Sequence, residues 1–197
     1  MDVTHIIQTF GIIGISIIIF AESGLFFGFF LPGDSILFTA GVLASQGFLN
    51  ISLLVFCTWI AAVLGDTVGY WFGARIGIKM FSKEKSFFFN KQYPERAHEF
   101  YVKRGGQAII LARFIPAVRT FIPIMAGVGN MPYKKFISYN IIGGTIWTIG
   151  LTLAGYFLGR SITNIDKYII PIILVIIILS MLPAVSEVIK SRKNHTK

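Results

Sequence analysis

The chain has 197 residues, 54% of them hydrophobic, and 18 Lys and Arg against 9 Asp and Glu, for a formal net charge of +9. Its mean hydropathy of +0.72 excludes an ordinary soluble domain and predicts one all-α polytopic membrane domain over residues 1–197. A single cysteine, Cys57, excludes an intrachain disulfide and a cysteine-based metal site, and no metal or cofactor is expected.

No charge falls between Asp2 and Glu22, which predicts a first helix over about residues 5–22. The start lacks a positively charged leader, and Glu22 stands where a small cleavage residue would be, so a retained helix rather than a signal peptide is expected. The next segment, LFFGFFLPGDSILFTAGVLASQG, is apolar but interrupted at Pro32, Gly33 and Asp34. A long helix is predicted over about 51–77. Residues 80–104, rich in Lys, Phe and Glu, predict an interfacial amphipathic element, with aromatic rings at headgroup level and lysines facing anionic lipid.

The segment at about 106–130, containing AIILARFIPAVRTFIPIMAGVG, carries Arg113 and Arg119 among apolar residues. An unpaired arginine in hydrocarbon costs roughly 2.5–3.5 kcal/mol on insertion scales. Pro116 and Pro123 remove backbone donors and bias Ile115 and Ile122 away from helix. A broken, re-entrant segment presenting two guanidinium groups to a polar cavity fits better than a continuous spanning helix. The planar guanidinium fork suits phosphate or carboxylate. Two further helices are predicted at about 134–160 and 167–189.

An internal repeat underlies this order. Ala40-Gly41-Val42 recurs as Ala126-Gly127-Val128 at an offset of 86 residues. The same offset carries Ile51-Ser52 onto Ile137-Ser138, Gly69-Tyr70 onto Gly155-Tyr156, and Gly73 onto Gly159. Each unit reads as a broken hairpin followed by a long helix. Repeat one covers about 22–77, an amphipathic cytoplasmic connector about 79–105, repeat two about 106–160, and a last transmembrane helix about 167–189. If the basic clusters at 75–104, 134–135 and 190–197 face the cytoplasm, fourteen of the 18 basic residues lie inside. Both termini are then cytoplasmic, with about four full transmembrane helices and two re-entrant hairpins entering from opposite faces as an inverted repeat. The positive charge therefore reads as a topology signal and not as nucleic-acid binding, because most of the 19 Phe lie in membrane-grade runs.

Five charged residues fall at membrane depth: Glu22, Asp34, Asp66, Arg113 and Arg119. Unpaired, they would cost roughly 10–15 kcal/mol, so they must pair, contact water or be neutralised. Two acids on the first hairpin facing two arginines on the second would form a neutral set. Burial penalises carboxylate charge while nearby guanidinium groups favour it, so Glu22 and Asp34 are candidates for gating or proton coupling. Asp66 is expected to support helix packing or hydrogen bonding, with Pro32, Gly33, Pro116 and Pro123 shaping the breaks. Trp59, Trp71 and Trp147 are expected to act as anchors or packing. His5, His98 and His195 suggest no catalytic or metal cluster.

At FAESGLFFGFFLPGDSIL (20–37), GDTVGYWFGARIG (65–77) and ARFIPAVRTFIPIMAGVGNMP (112–132) the chain resembles the DedA family, also described as the SNARE-associated or VTT-domain family. That resemblance implies opposed re-entrant hairpins and lipid scrambling or flipping in the bacterial cytoplasmic membrane, including recycling of undecaprenyl phosphate or translocation of phospholipid. It further implies that Arg113 and Arg119 bind the lipid phosphate while Glu22 and Asp34 gate the site or couple it to protons.

The expected function is thus a lipid-phosphate translocase, with membrane lipids and protons as partners; a homo-oligomer is compatible with it. A proton-coupled antiporter of small solutes or ions, and an envelope-homeostasis assembly factor, are the alternatives. Catalysis is not expected: the histidines lie outside the apolar segments, and Gly33-Asp34-Ser35 lacks a nucleophile elbow.

Overall fold

Predominantly apolar runs form the described helices, with proline tolerated only in a first turn. The computed structural model describes residues 3–24, 32–77 and 106–161. The predicted amphipathic connector, the apolar run preceding Pro32 and the predicted helix at 167–189 lie outside the described residues. Helix α1 is Val3–Gly24, α2 is Gly33–Ser45, and α3 is Ile51–Phe72, continuing through a π turn at Gly73–Gly77. The arginine segment divides into α4 (Gln107–Ala112), α5 (Pro116–Arg119) and α6 (Phe121–Val128). Helix α7, Tyr133–Ser161, is interrupted by a π turn at Thr145–Ile149. The described residues contain no strand, so they are all-α as predicted.

Local chemistry sets the boundaries. The Asn50 side chain caps α3 by accepting from the Leu53 amide at 3.0 Å. Ile115 is extended, as a residue before proline prefers, and Pro116 starts α5 at the position where its missing N–H costs nothing. Pro123 lies in the first turn of α6, where amides have no intrahelical acceptor to lose. The predicted break in the arginine segment is therefore present, at Arg113–Ile115 and again at Thr120.

Ile51–Ile76 has 26 residues and Tyr133–Ser161 has 29, or about 39 and 43 Å of helix at 1.5 Å per residue, against a hydrocarbon core of about 30 Å. Burial is inverted relative to a protein in water. Phe56, Ile17 and Phe157 are about 60% exposed, whereas Glu22, Asp66, Arg113, Arg119, Asn140, Thr58, Thr148 and Thr152 are buried. Apolar side chains outside and charges inside are what hydrocarbon solvent selects.

The internal repeat reappears as packing. A Cβ added to Gly41 on α2 would strike the α7 backbone at Thr152 and Tyr156; one added to Gly127 on α6 would strike the α3 backbone at Tyr70 and Ala74. Gly127 is the repeat mate of Gly41, and Tyr70 of Tyr156. Likewise Gly155 faces Phe38 while Gly69 faces Ile124, again with both partners exchanged at the same offset. Each half's short helix packs against the other half's long helix. Such reciprocity is the signature of a two-fold relation, in which residue i touches j and the mate of j touches the mate of i.

Candidate functional site

The buried charges form two clusters on either side of one tryptophan. Glu22 lies in the last turn of α1, fully buried. It reaches the interior because α1 crosses α3 closely at Gly24 and Gly65; a Cβ on Gly24 would lie 2.8 Å from the Gly65 carbonyl oxygen. Asp34 is the second residue of α2, where the helix N-terminus favours a carboxylate. Gly33 is needed beside it, since a Cβ there would overlap the Glu22 carboxylate. Arg119, the last residue of α5, divides its fork: Nη2 pairs with Glu22, and Nη1 donates to Asp34 Oδ1 at 2.7 Å.

The second cluster is centred on Arg113, immediately after α4. Its Nη2 pairs with Asp66 of α3 and donates to Asn140 Oδ1 of α7. Asn140 in turn donates through Nδ2 to the Val63 carbonyl at 3.0 Å, which orients the amide. Gly143 leaves room for the arginine stem; a Cβ there would come within 3.0 Å of Arg113 Cδ.

Trp147 lies between the clusters, 2% exposed. The Arg119 guanidinium stands 4.8 Å from its ring centroid and that of Arg113 5.8 Å. Its Nε1 donates to Asp34 Oδ1 at 2.7 Å, the oxygen that also receives Arg119.

The structure thus assembles all five charged residues singled out in the sequence, but with a different pairing. Glu22 and Asp34 share Arg119, while Arg113 goes to Asp66, which makes the inter-segment hydrogen bond expected of it and is in addition an ion-pair partner. Three carboxylates stand against two guanidinium groups, so the expected two-against-two neutral set is not what forms. Among the described residues, the Nε atoms of both arginines and the Thr120 and Ser35 hydroxyls are buried without a hydrogen-bond partner. The two Nε atoms are spare donors within the clusters, which are otherwise rich in acceptors.

Sequence reasoning missed Asn140 and read Trp147 as an anchor or packing residue; it does pack in an apolar cluster, and its contacts to the charges were not foreseen. One signal was available: an amide and an indole seven residues apart share a helix face, and that face also carries Gly143 and Gly144.

The VTT domain matches residues 31–157, a range that contains Asp34, Asp66, Arg113, Arg119, Asn140 and Trp147. The chain is 45% identical to Protein DedA of Escherichia coli strain K12 over 179 residues, covering 90% of this chain and 81% of that one. It is 46% identical over 186 residues to the uncharacterized membrane protein Rv0364 of Mycobacterium tuberculosis H37Rv, covering 92% and 81%. The inner membrane protein YqjA of Escherichia coli strain K12 is 34% identical over 145 residues, covering 74% and 66%. No solved structure gives a significant match.

Proposed function

This chain belongs to the DedA family of VTT-domain membrane proteins, and from that premise we propose that it is a lipid-phosphate translocase, moving undecaprenyl phosphate or a phospholipid between leaflets with proton coupling. The observation that carries the reading is the competition of two carboxylates, the fully buried Glu22 and the partly exposed Asp34, for the single fork of Arg119.

A phosphate has the same bidentate fit to guanidinium as a carboxylate. For a headgroup to take the fork, one carboxylate must yield its nitrogen. Protonation of that carboxylate removes the competing charge and turns an acceptor into a donor to the incoming phosphate. Proton uptake and phosphate capture then favour one another by linkage. The three-to-two excess of acids gives such a site one proton to exchange, and the unused Nε and hydroxyl donors supply further contacts to an anion.

In this reading the breaks before Gly33 and around Thr120 are the tips of two re-entrant hairpins that enter from opposite faces of the bacterial cytoplasmic membrane. The protein makes about four full crossings with both termini in the cytoplasm. The headgroup crosses at the hairpin tips while its tail stays in lipid. The reciprocal two-fold packing, the distribution of basic residues and the inner-membrane name of YqjA support this arrangement. No bond is made or broken, so the reading assigns no catalytic residue.

The test uses purified full-length protein in liposomes carrying fluorescent undecaprenyl phosphate or phosphatidylglycerol, with leaflet exchange followed with and without a pH gradient. Exchange that is lost in Arg119→Ala and Glu22→Gln and that responds to the gradient is the expected result. If folded wild-type protein exchanges neither lipid, the translocase reading fails and a small-solute antiporter becomes the reading to test.

A further inference from the structure

The tryptophan between the clusters does more than fill space. Trp147 packs against Ile19, Leu37, Ala61 and Ala62 on its apolar side, a task that phenylalanine or leucine could meet. Neither could supply the buried N–H that Asp34 accepts at 2.7 Å, and leucine could not supply the ring that both guanidinium groups approach. Cation–π attraction is strongest where water is excluded, as it is here.

The backbone is also unusual at this point. Trp147 is the middle residue of the π turn Thr145–Ile149, a local departure from α-helix that is frequent at functional sites. The first residue of that turn is tied down from outside, since the Thr145 hydroxyl accepts from Trp59 Nε1 at 3.0 Å and donates to the Ile141 carbonyl at 2.8 Å.

We propose that Trp147 is a positioning residue that holds Asp34, Arg119 and Arg113 in fixed relation, so that the two ion clusters behave as one anion site. Its indole N–H keeps Asp34 turned toward Arg119, and its ring holds both guanidinium groups beside it, at 4.8 and 5.8 Å from the centroid. The functional consequence rests on the translocase reading; the positioning itself does not.

Two experiments separate them. Full-length protein labelled at the tryptophan indole nitrogens is placed in nanodiscs of phosphatidylethanolamine and phosphatidylglycerol, with no polyprenyl lipid added. The Trp147 resonance is identified by its loss in Trp147→Phe. It is expected downfield, as for an N–H bonded to carboxylate, and it moves upfield in Asp34→Asn while the Trp59 resonance stays in place. A Trp147 signal indifferent to Asp34→Asn overturns the proposal; that variant keeps the tryptophan, and Trp147→Phe serves only to assign the resonance.

In leaflet exchange of fluorescent undecaprenyl phosphate, normalised to folded protein, Trp147→Phe is expected to be about tenfold slower than wild type, the effect of one hydrogen bond to a charged group. Trp147→Leu, which loses ring and donor, falls to the protein-free background. A wild-type rate for Trp147→Leu overturns the proposal. Resonance coupling to Asp34 in a protein that exchanges no lipid supports the positioning role and counts against the translocase reading alone.

Discussion

Trp59 donates its indole hydrogen to the hydroxyl of Thr145 at 3.0 Å, and the two residues are separated by 86 positions, the internal repeat offset itself. Under a two-fold relation, a residue that touches its own mate must stand at the axis. Asp34 and Arg119, 85 positions apart, meet one residue away from that condition. The breaks in the two halves therefore converge on the axis, where each half supplies what the other lacks: acids from the first, arginines from the second. The frame is symmetric, and the charges within it are not.

If the reciprocal packing holds the two halves together, its paired glycines are equally intolerant of a side chain. Gly41→Ala and Gly127→Ala each push a methyl group into opposing helix backbone, which cannot rotate away. Each is expected to destabilise by about 1–3 kcal/mol. Gly150→Ala, where a Cβ meets nothing within 4 Å among the described residues, is expected to be neutral or stabilising by up to about 1 kcal/mol. Thermal unfolding in detergent checks the set. Unequal penalties at Gly41 and Gly127 would argue against reciprocity.

The sharing of Arg119 by two acids makes a non-additive prediction. Arg119→Gln removes the common cation of the buried Glu22 and the partly exposed Asp34 and is expected to cost about 3–5 kcal/mol, chiefly through Glu22. Adding Glu22→Gln removes one of the stranded charges and should recover part of that loss, although Glu22→Gln alone gains nothing. Arg119→Lys keeps the charge but cannot reach both carboxylates with a planar fork, so exchange should fail in folded protein. Strict additivity of the stability changes would show that the acids do not share this arginine.

Much of this architecture was legible because charges in apolar runs are expensive. Glu22, Asp34, Asp66, Arg113 and Arg119 announce themselves by position, and the proline breaks and the 51–77 helix follow from local rules. The pairing was not legible. Which acid meets which arginine depends on the α1–α3 crossing at Gly24 and Gly65, a tertiary fact that periodicity does not encode. Asn140 and Trp147 carry no charge, so the same cost argument passes over them even though they complete both clusters.

Because Asn140 and Asp66 both contact Arg113, they should be exchangeable as a pair. Asp66→Asn alone strands a buried guanidinium and is expected to cost about 3–5 kcal/mol and abolish exchange. The swap Asp66→Asn with Asn140→Asp restores one carboxylate and one amide around the same arginine, from opposite sides. Part of the stability and of the exchange activity should return, short of wild type because an aspartate at position 140 has no N–H for the Val63 carbonyl. Comparison of both variants by thermal unfolding and liposome assay decides the matter; a swap no better than the single change would mean that the carboxylate must reside on α3.

The proposed inverted orientation of the two halves makes a final prediction about sidedness. The turn between α2 and α3 and the turn between α6 and α7 occupy equivalent places in the repeat, so an inverted pair must put them on opposite membrane faces. Phe48 is 57% exposed in the first turn, and Lys134 is exposed just after the second. In a Cys57→Ser background, Phe48→Cys should react with a membrane-impermeant maleimide added to intact cells with opened outer membranes, and Lys134→Cys only in inside-out vesicles. The basic pair Lys134 and Lys135 fixes the direction, since lysines near a helix end are retained on the cytoplasmic side. Labelling of both positions from one side would make the repeat parallel, and the hairpin tips could not then approach the site from opposite leaflets.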